Sequence, residues 1–342
     1  PATRQIELPP LRRVPKVEQI EAKFLTEGAT LVLGLGFEER AVSSLERILE
    51  SVTPGRALAI VYPSVGRADA IRAALRARGV STEEIPYAEI ADRIGMIAGA
   101  GPMVVDVTGL AKPVIFAAVR GGLLARGRIE IVHTGAATYL PRDTEIEHLF
   151  NNIAKGEPTV VLEEADKIWM GERPEYAFVP LLRSDADPTR ARVVIASASP
   201  KHQRLLALLD ERDSDRVEIL TPPGPTPRAK LARLAAGVAL RAVAEGEVYN
   251  VGSNDLALAM EVILERFQAT YVDAGFNVEV GLTGSKLHAV AFAAVSTVRK
   301  LSQAWYVRPA EFDEEHFTEG TDRTVVFRLT APLEDPPAPR LE

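Results

Sequence analysis

Short apolar runs alternate with helical patterns along almost the whole chain, and they do so in two passes. In the first pass TLVLGL, ALAIVY, PMVVDV and IEIVHTG are separated by EERAVSSLERILES, RADAIRAALRARG and KPVIFAAVRGGLLARG. In the second, ARVVIASAS, RVEILTP, NVEVGLTG and SQAWYVRP are separated by PKHQRLLALLDER, PRAKLARLAAGVALRAVAEG, NDLALAMEVILERFQ and SKLHAVAFAAVSTVRKL. Runs that are apolar throughout, without in-out alternation, belong to strands covered on both faces, which is the environment of a parallel sheet between helices. The expected class is therefore α/β, with two tandem Rossmann-like doubly wound domains whose sheets are mostly parallel and related by internal duplication. Gly79 is expected to close the second helix as its C-cap. STEEIPY reads as extended, AEIADRIG as helical, and VYNVG as the lead into NDLALAMEVILERFQ.

These elements set the expected boundaries. Residues 1–29 form an N-terminal extension that contains an amphipathic stretch, VEQIEAKFL. Residues 30–160 form the first domain, 161–190 a connector, 191–333 the second domain and 334–342 a disordered tail. Around the connector, EIEHLFNNIAKG reads as helix, TVVLEE as strand, RSDADPTRA as linker and TDRTVVFRLTAP as a late strand. A chain of 342 residues exceeds the usual size of one hydrophobic core, which agrees with two domains.

The duplication is sharpest in one segment. VVDVTGLAKPVIFAAV in the first half has a counterpart, VEVGLTGSKLHAVAFAAV, in the second, and the spans Thr108 to Val132 and Thr283 to Val307 are equal in length. The motif FAAV recurs at Phe116 to Val119 and Phe292 to Val295. The lysine follows its threonine at Lys112 in the first copy and one residue sooner, at Lys286, in the second. Any two doubly wound halves draw on a similar apolar vocabulary, but shared strand order, spacing and turn chemistry together favour a true repeat.

At the carboxyl end of a parallel strand the first N–H groups of the next helix point outward, and the helix dipole reinforces them as an anion site. Glycine there allows close approach of a ligand, a hydroxyl adds a hydrogen bond and a lysine adds charge. Thr108, Gly109 and Lys112 offer this set in the first half, and Thr283, Gly284 and Lys286 in the second. A capping threonine, a turn glycine and a solvated lysine would produce the same residues. Two copies at matching strand ends tip the reading toward ligand binding.

The turns after the first strand of each half are less specific. GLGFEER opens like a dinucleotide fingerprint, yet Glu39 occupies the third glycine position, and Glu38 and Glu39 stand where a pyrophosphate would bind. Tight packing with a hydrogen-bonding rim of Gly36, Phe37 and Glu38 is the better reading. The equivalent turn supplies Ser197, Ser199, Lys201 and His202, with Ser199 and Pro200 read as a helix N-cap and first residue.

Composition narrows the function classes. The chain contains no cysteine, which removes disulfides, thiol nucleophiles and cysteine zinc sites. A net charge of -7 argues against sequence-independent binding of duplex nucleic acid. No long apolar run suggests a membrane span, the N-terminus lacks a signal-peptide core, and a cytoplasmic location is expected. The five histidines, His133, His148, His202, His288 and His316, lack metal-ligand spacing, so neither a metal nor a cofactor is expected. His133 could lie at the sheet edge, and His288, in the first turn of its helix, could face ligand or solvent.

A Rossmann-like domain whose fourth strand ends in aspartate, a hydrophobic residue, threonine and glycine, with Lys112 following Thr108, resembles the CRISPR-associated Rossmann fold, or CARF, family. The first half carries this as VVDVTGLAKPVIFAAV and the second more loosely as VEVGLTGSKLHAVAFAAV. Leu110 departs from the pattern where a second glycine is common, and Gly281 stands where the first copy has Asp106. The resemblance spans about residues 30–309 and implies cyclic oligoadenylate, or a related small nucleotide, held across a pseudo-two-fold cleft. The lining expected from it comprises Gly36, Phe37, Glu38, Thr108, Gly109, Leu110, Lys112, Ser197, Ser199, Lys201, His202, Thr283, Gly284, Ser285, Lys286 and Arg308.

The leading expectation is a sensor in prokaryotic antiviral defence that signals to a separate effector protein, and a homodimer is compatible with it. The alternative is a metal-independent ring nuclease. It would hold a 2'-hydroxyl in line with its own phosphorus, with Lys112 or Lys286 as the catalytic cation. A Rossmann-like enzyme acting on another phosphorylated ligand is the third reading. Arg142 and His148 form an R-x5-H pair of the kind seen in HEPN ribonucleases, but the segment is too short for that helical domain. In the AWY segment, one of Trp305 and Tyr306 is expected in the core.

Overall fold

The computed structural model describes residues 13–36, 38–63, 67–90, 101–153, 157–168, 175–183, 186–243, 245–309 and 317–331. Phe37, residues 91–95 of the AEIADRIG segment, His316 and the expected tail at 334–342 lie outside them. The chain divides into two compact units. The first comprises residues 1–135, 296–298 and 322–342, and the second comprises 136–295 and 299–321.

The first unit is built on β1 (Lys16–Ile20), β2 (Thr30–Leu35), β3 (Arg56–Val61), β4 (Thr82–Pro86), β5 (Met103–Asp106), β6 (Arg128–Thr134) and β15 (Thr324–Thr330). They form one sheet in the order β1-β15-β6-β5-β2-β3-β4, in which β2 to β6 run parallel while β15 and β1 add antiparallel. Its helices are α1 (Glu39–Ser51), α2 (Ala68–Ala77) and α3 (Lys112–Arg126). All six residues of β2 are buried, as a strand with helices on both faces requires. Leu31, Leu33 and Leu35 pack with Leu45 and Ile48 of α1 and with Ile71 and Leu75 of α2. Gly79 has φ +66°, so it closes α2 in the left-handed conformation expected of a helix-ending glycine.

The second unit repeats the plan. Its strands are β8 (Tyr176–Arg183), β9 (Arg192–Ser197), β10 (Arg216–Thr221), β11 (Glu245–Asn250), β12 (Asn277–Gly281) and β13 (Gln303–Pro309). They lie in the order β11-β10-β9-β12-β13-β8, parallel except for β8. A small ribbon pairs β7 (Thr138–Tyr139) with β14 (Thr318–Glu319). The helices are α4 (Asp143–Asn152), α5 (Pro158–Ile168), α6 (Gln203–Arg212), α7 (Pro227–Arg241), α8 (Leu256–Phe267) and α9 (Lys286–Val295). Numbering the five parallel strands of either sheet by chain order gives 3-2-1-4-5 in both cases, the Rossmann order. Among the described residues no helix is long and apolar enough to cross a membrane.

Several sequence expectations are corrected. TVVLEE belongs to α5, a helix: Val161, Leu162 and Ala165 fall on one face, and Leu162 and Ala165 pack with Ile146 of α4 and Leu231 and Ala235 of α7. Burial of that stripe overrides the strand preference of the β-branched residues. YAFVPLLR, which went unrecognised as a strand, is β8, antiparallel to β13. Ser199 does not cap a helix, because α6 starts at Gln203 with His202 before it, and Ser199 Oγ donates to the Lys201 carbonyl at 3.3 Å.

The contact units also differ from the expected boundaries of 160 and 191. Residues 136–168 belong with the second unit, and β15 returns to pair with β6 of the first. Val326 and Leu329 of β15 are buried there. In the AWY segment Tyr306 is the core residue, at 5% exposure, while Trp305 donates its indole N–H to Glu279 at 2.6 Å.

Glu130 on β6 joins distant parts of the first unit. It is 2% exposed and accepts from Thr26 N–H at 2.8 Å, Thr26 Oγ1 at 2.9 Å, Arg128 at 3.0 Å and Arg328 at 2.9 Å. Burial alone would raise this carboxyl's pKa, but the donors from Thr26, Arg128 and Arg328 outweigh it and hold the pKa below the ordinary 4.5. A carboxylate lowered by folding contributes stability above its unfolded pKa, and that stability is lost as pH falls through the folded pKa. Glu130→Gln is therefore expected to lower stability at neutral pH and to flatten its decline below about pH 4.5. Urea midpoints measured between pH 6 and pH 3 check this, and an unchanged slope would remove Glu130 as a source of acid sensitivity.

Candidate functional site

In each sheet the strand order reverses between the first and fourth parallel strands, β2 and β5 in one unit and β9 and β12 in the other. Ligands of open α/β sheets bind outside the carboxyl ends at this reversal point. The turn after β5 carries Thr108 and Gly109, and the turn after β12 carries Thr283 and Gly284. The sequence-read turns therefore occupy the topological position at which the fold opens.

In the first unit the turn is a short 3-10 segment, Val107–Gly109, held by the Asp106 carboxylate accepting from Thr108 N–H at 3.0 Å. The Thr108 side chain is fully buried. Its hydroxyl donates to Ser44 Oγ at 3.2 Å and accepts from Thr134 N–H at 2.9 Å, so it ties the turn to α1 and to the end of β6. Gly34 and Gly109 are a matched pair: a β-carbon at Gly34 would lie 2.2 Å from the Gly109 carbonyl oxygen, and one at Gly109 would lie 2.9 Å from Gly34 O. The same β-carbon at Gly36 would lie 3.5 Å from Gly109 O, an ordinary contact. Leu110 is buried, and Lys112, the first residue of α3, is half-buried.

Two neighbours of this turn escaped the sequence reading. Tyr62, the residue after β3, accepts from Ala111 N–H through its phenol oxygen at 2.7 Å, and its ring lies 5.3 Å from that of Tyr87. Its place at the carboxyl end of ALAIVY was the available signal. Arg40, 3% exposed, donates to Glu38 at 2.6 Å and to the Thr134 carbonyl at 3.1 Å. Glu38, expected on a ligand rim, is thus 8% exposed and engaged in a buried ion pair with Arg40. Arg40 and Ser44 lie on the buried stripe of α1 with Ala41, Leu45 and Ile48, and polar residues on an otherwise apolar stripe were the readable clue.

In the second unit the turn is stitched to the end of β9. Thr283 is 1% exposed, its hydroxyl donates to Ser197 O at 2.7 Å, and it accepts from Ser197 N–H at 3.3 Å. His288 is 2% exposed: Nδ1 lies 3.0 Å from Ser197 Oγ and Nε2 lies 3.2 Å from the Gly252 carbonyl. A carbonyl can only accept, so Nε2 carries a proton, and in the neutral ring Nδ1 accepts from Ser197. His288 therefore faces neither solvent nor an open edge; it bridges the strand ends at Ser197 and Gly252. Gly284 sits against this bridge, where a β-carbon would meet Ser197 Cβ at 2.3 Å. Ser285 Oγ donates to the Ser253 carbonyl at 2.8 Å and accepts from His288 N–H at 3.1 Å, capping α9.

The remaining candidates are placed as follows. Lys286 opens α9 and is half-buried, and Arg308 is exposed near the end of β13. Lys201 Nζ lies 3.7 Å over the Phe317 ring, and the buried His202 pairs through Nε2 with Asp166 Oδ1 at 3.0 Å. Both engage elements of their own unit. His133 is buried at 7% exposure on β6. Arg142 pairs with Glu319 at 2.9 Å, and His148 is exposed on α4. Among the described residues no group of three His, Asp or Glu side chains could hold a metal ion.

No protein-family model matches the chain, and no curated protein sequence matches it. Among solved structures it is similar to a Type III CRISPR defence DNA nuclease activated by cyclic oligoadenylate, with a TM-score of 0.51 and 12% identity over 82% of this chain. It spans 66% of that nuclease's length. At this identity the likeness concerns the fold.

Proposed function

We propose that the chain senses cyclic oligonucleotides, cyclic oligoadenylate foremost, in prokaryotic antiviral defence, with the Thr-Gly turn as the ligand-binding element of the fold and the signal passing to a separate effector protein. The observation that carries this reading is the recurrence of one turn, at the reversal point of one strand order, in both sheets. A repeated ligand suits a repeated site. The fold likeness to a nuclease activated by cyclic oligoadenylate supports the same ligand class. The second reading, metal-independent ring cleavage, is favoured by the lysine that opens the helix after each turn, Lys112 and Lys286. Either lysine could stabilise charge at a phosphorus attacked by its own 2'-hydroxyl.

The deciding experiment incubates the protein with cyclic tri-, tetra- and hexa-adenylate, with and without EDTA, followed by chromatography. Retention of the intact ring is the expected result. Linear products formed in EDTA would replace the sensor with the ring nuclease, and absence of any interaction would overturn the ligand class. Charge-assisted hydrogen bonds contribute about 1.5–3 kcal/mol, so Lys112→Ala and Lys286→Ala are each expected to weaken ring binding roughly tenfold or more. Calorimetry measures this, and unchanged affinity in both variants would remove the two lysines from the ligand site.

A further inference from the structure

A second concavity lies at the other end of the first sheet from the Thr-Gly turn, where β5 and β6 begin. Its volume is about 500 Å³, within the range of small-molecule sites. Met103 and Ile129, both 1% exposed, give it an apolar wall, and Thr26, Arg126 and Arg128 give it a polar one. Arg126, the last residue of α3, is half-buried, and its Nη1 donates to Met103 Sδ at 3.3 Å, a thioether that accepts only weakly. Arg56, the first residue of β3, is exposed and donates its Nε–H to Thr30 Oγ1 at 3.3 Å.

The charges here do not balance. Glu130 is the carboxylate on the wall, and it is already shared by Arg128 at 3.0 Å and Arg328 at 2.9 Å. Glu27, next to Thr26 in the chain, turns to Thr53 N–H at 3.0 Å. Arg126 and Arg56 thus add charge to a region that is already positive, on a chain whose net charge is -7. Burial disfavours the charged form of Arg126, and the charge of Arg56 does the same, so its pKa lies below the ordinary 12.5. An anion beside the two guanidiniums would offset both effects.

We infer that this concavity is an anion site, separate from the Thr-Gly turn, at which Arg126 holds the phosphate of a small phosphorylated molecule while Arg56 adds charge and Met103 and Ile129 face its apolar part. A guanidinium is planar and presents its N–H donors in a fork that matches phosphate oxygens two at a time. Thr26 N–H, Thr26 Oγ1 and Arg128 go to Glu130, so that wall shapes the pocket and recognition falls to Arg126. A phosphate here would leave the Thr-Gly turn open to its own ligand, because the length of the sheet's strands separates the two places.

The test titrates inorganic phosphate and phenyl phosphate into the full chain by calorimetry at low salt. Both are expected to bind, the phenyl ester roughly threefold more tightly, the gain from covering about 30 Å² of its ring. Arg126→Gln is expected to weaken both roughly tenfold or more, the scale of a charge-assisted hydrogen bond. Arg56→Gln changes an exposed residue and keeps the test decisive if Arg126→Gln fails to fold. It is expected to weaken both probes about threefold, as the loss of one nearby exposed charge does. A loss on Lys112→Ala with unchanged binding in Arg126→Gln and Arg56→Gln would place the phosphate at the Thr-Gly turn and overturn the inference. Binding of neither probe, or equal affinity for the two, would also overturn it.

Discussion

Gly34→Ala is expected to destabilise the first unit by about 3 kcal/mol, at the upper end of what overpacking costs, because the obstacle is main chain and not a side chain that can rotate away. The added methyl would lie 2.2 Å from Gly109 O and 2.7 Å from Gly109 C, and its other near neighbour is the Tyr62 ring at 3.1 Å. Relief would require β2 and the turn after β5 to move apart. Thr108 resists this, because its hydroxyl is fixed between Ser44 and Thr134 N–H. A loss of this size corresponds to a fall in melting temperature on the order of 10 °C for a unit of this size. Gly36→Ala is the control: its β-carbon would stand 3.5 Å from Gly109 O, and the change is expected to be within about 0.5 kcal/mol. Thermal and urea unfolding of the two variants check the contrast, and equal stability would show that the close approach of Gly34 and Gly109 is not a constraint.

His288→Ala is expected to cost the second unit about 3 kcal/mol, since it removes a buried ring and takes the partner from the Ser197 hydroxyl, on a residue with no exposed surface, where an unmade hydrogen bond costs about 1–3 kcal/mol. The ring's other partner, the Gly252 carbonyl, is half-buried and also accepts from Asp255 N–H at 3.0 Å. The bridge also holds Ser197 against Gly284, so its loss is expected to loosen the turn that precedes Lys286. His288→Gln tests the cause, because an amide offers both a donor and an acceptor and should recover part of the lost stability. Urea midpoints separate the outcomes. Equal loss in both variants would mean that ring packing, not the two hydrogen bonds, is what His288 contributes.

These two expectations share a lesson about the candidate site. The threonines that drew attention in the sequence are turned inward, and each joins the fourth-strand turn to a neighbouring strand end. The lysines, by contrast, stand half-buried at the first residue of their helices. A hydroxyl in a βα turn can satisfy the protein or a ligand, and residue type alone does not distinguish the two uses. The partners that decide it, Ser44 and Thr134 for Thr108 and Ser197 for Thr283, lie far away in the chain. Glu38 was likewise readable as a rim acid until Arg40 was seen folded against it.

Much of the fold was legible because its signals are local. Apolar runs bounded by helical patterns place eight of the ten parallel strands and their helices, and they predict two halves whose strand orders turn out identical. What escaped was non-local. TVVLEE carries a strand-like composition, but Val161, Leu162 and Ala165 form a helical stripe buried against other helices of the unit. The late strand β15 was recognised as a strand, but not as a member of the first sheet, because the identity of a strand's partner is set by backbone register and by the buried face it completes.

The sequence by itself determined the α/β class, the duplication and the placement of two similar turns at two helix starts, since each follows from periodicity, spacing and turn chemistry along a short stretch of chain. The tertiary structure alone decided which polar groups in those turns are engaged by the protein itself. Tyr62, at the carboxyl end of β3, reaches Ala111, while His288 and Ser285 close the other turn in a different way. The physical reason is that a hydrogen-bonding group has few partners to give, and which of them it gives to the protein depends on atoms brought near by folding rather than by sequence.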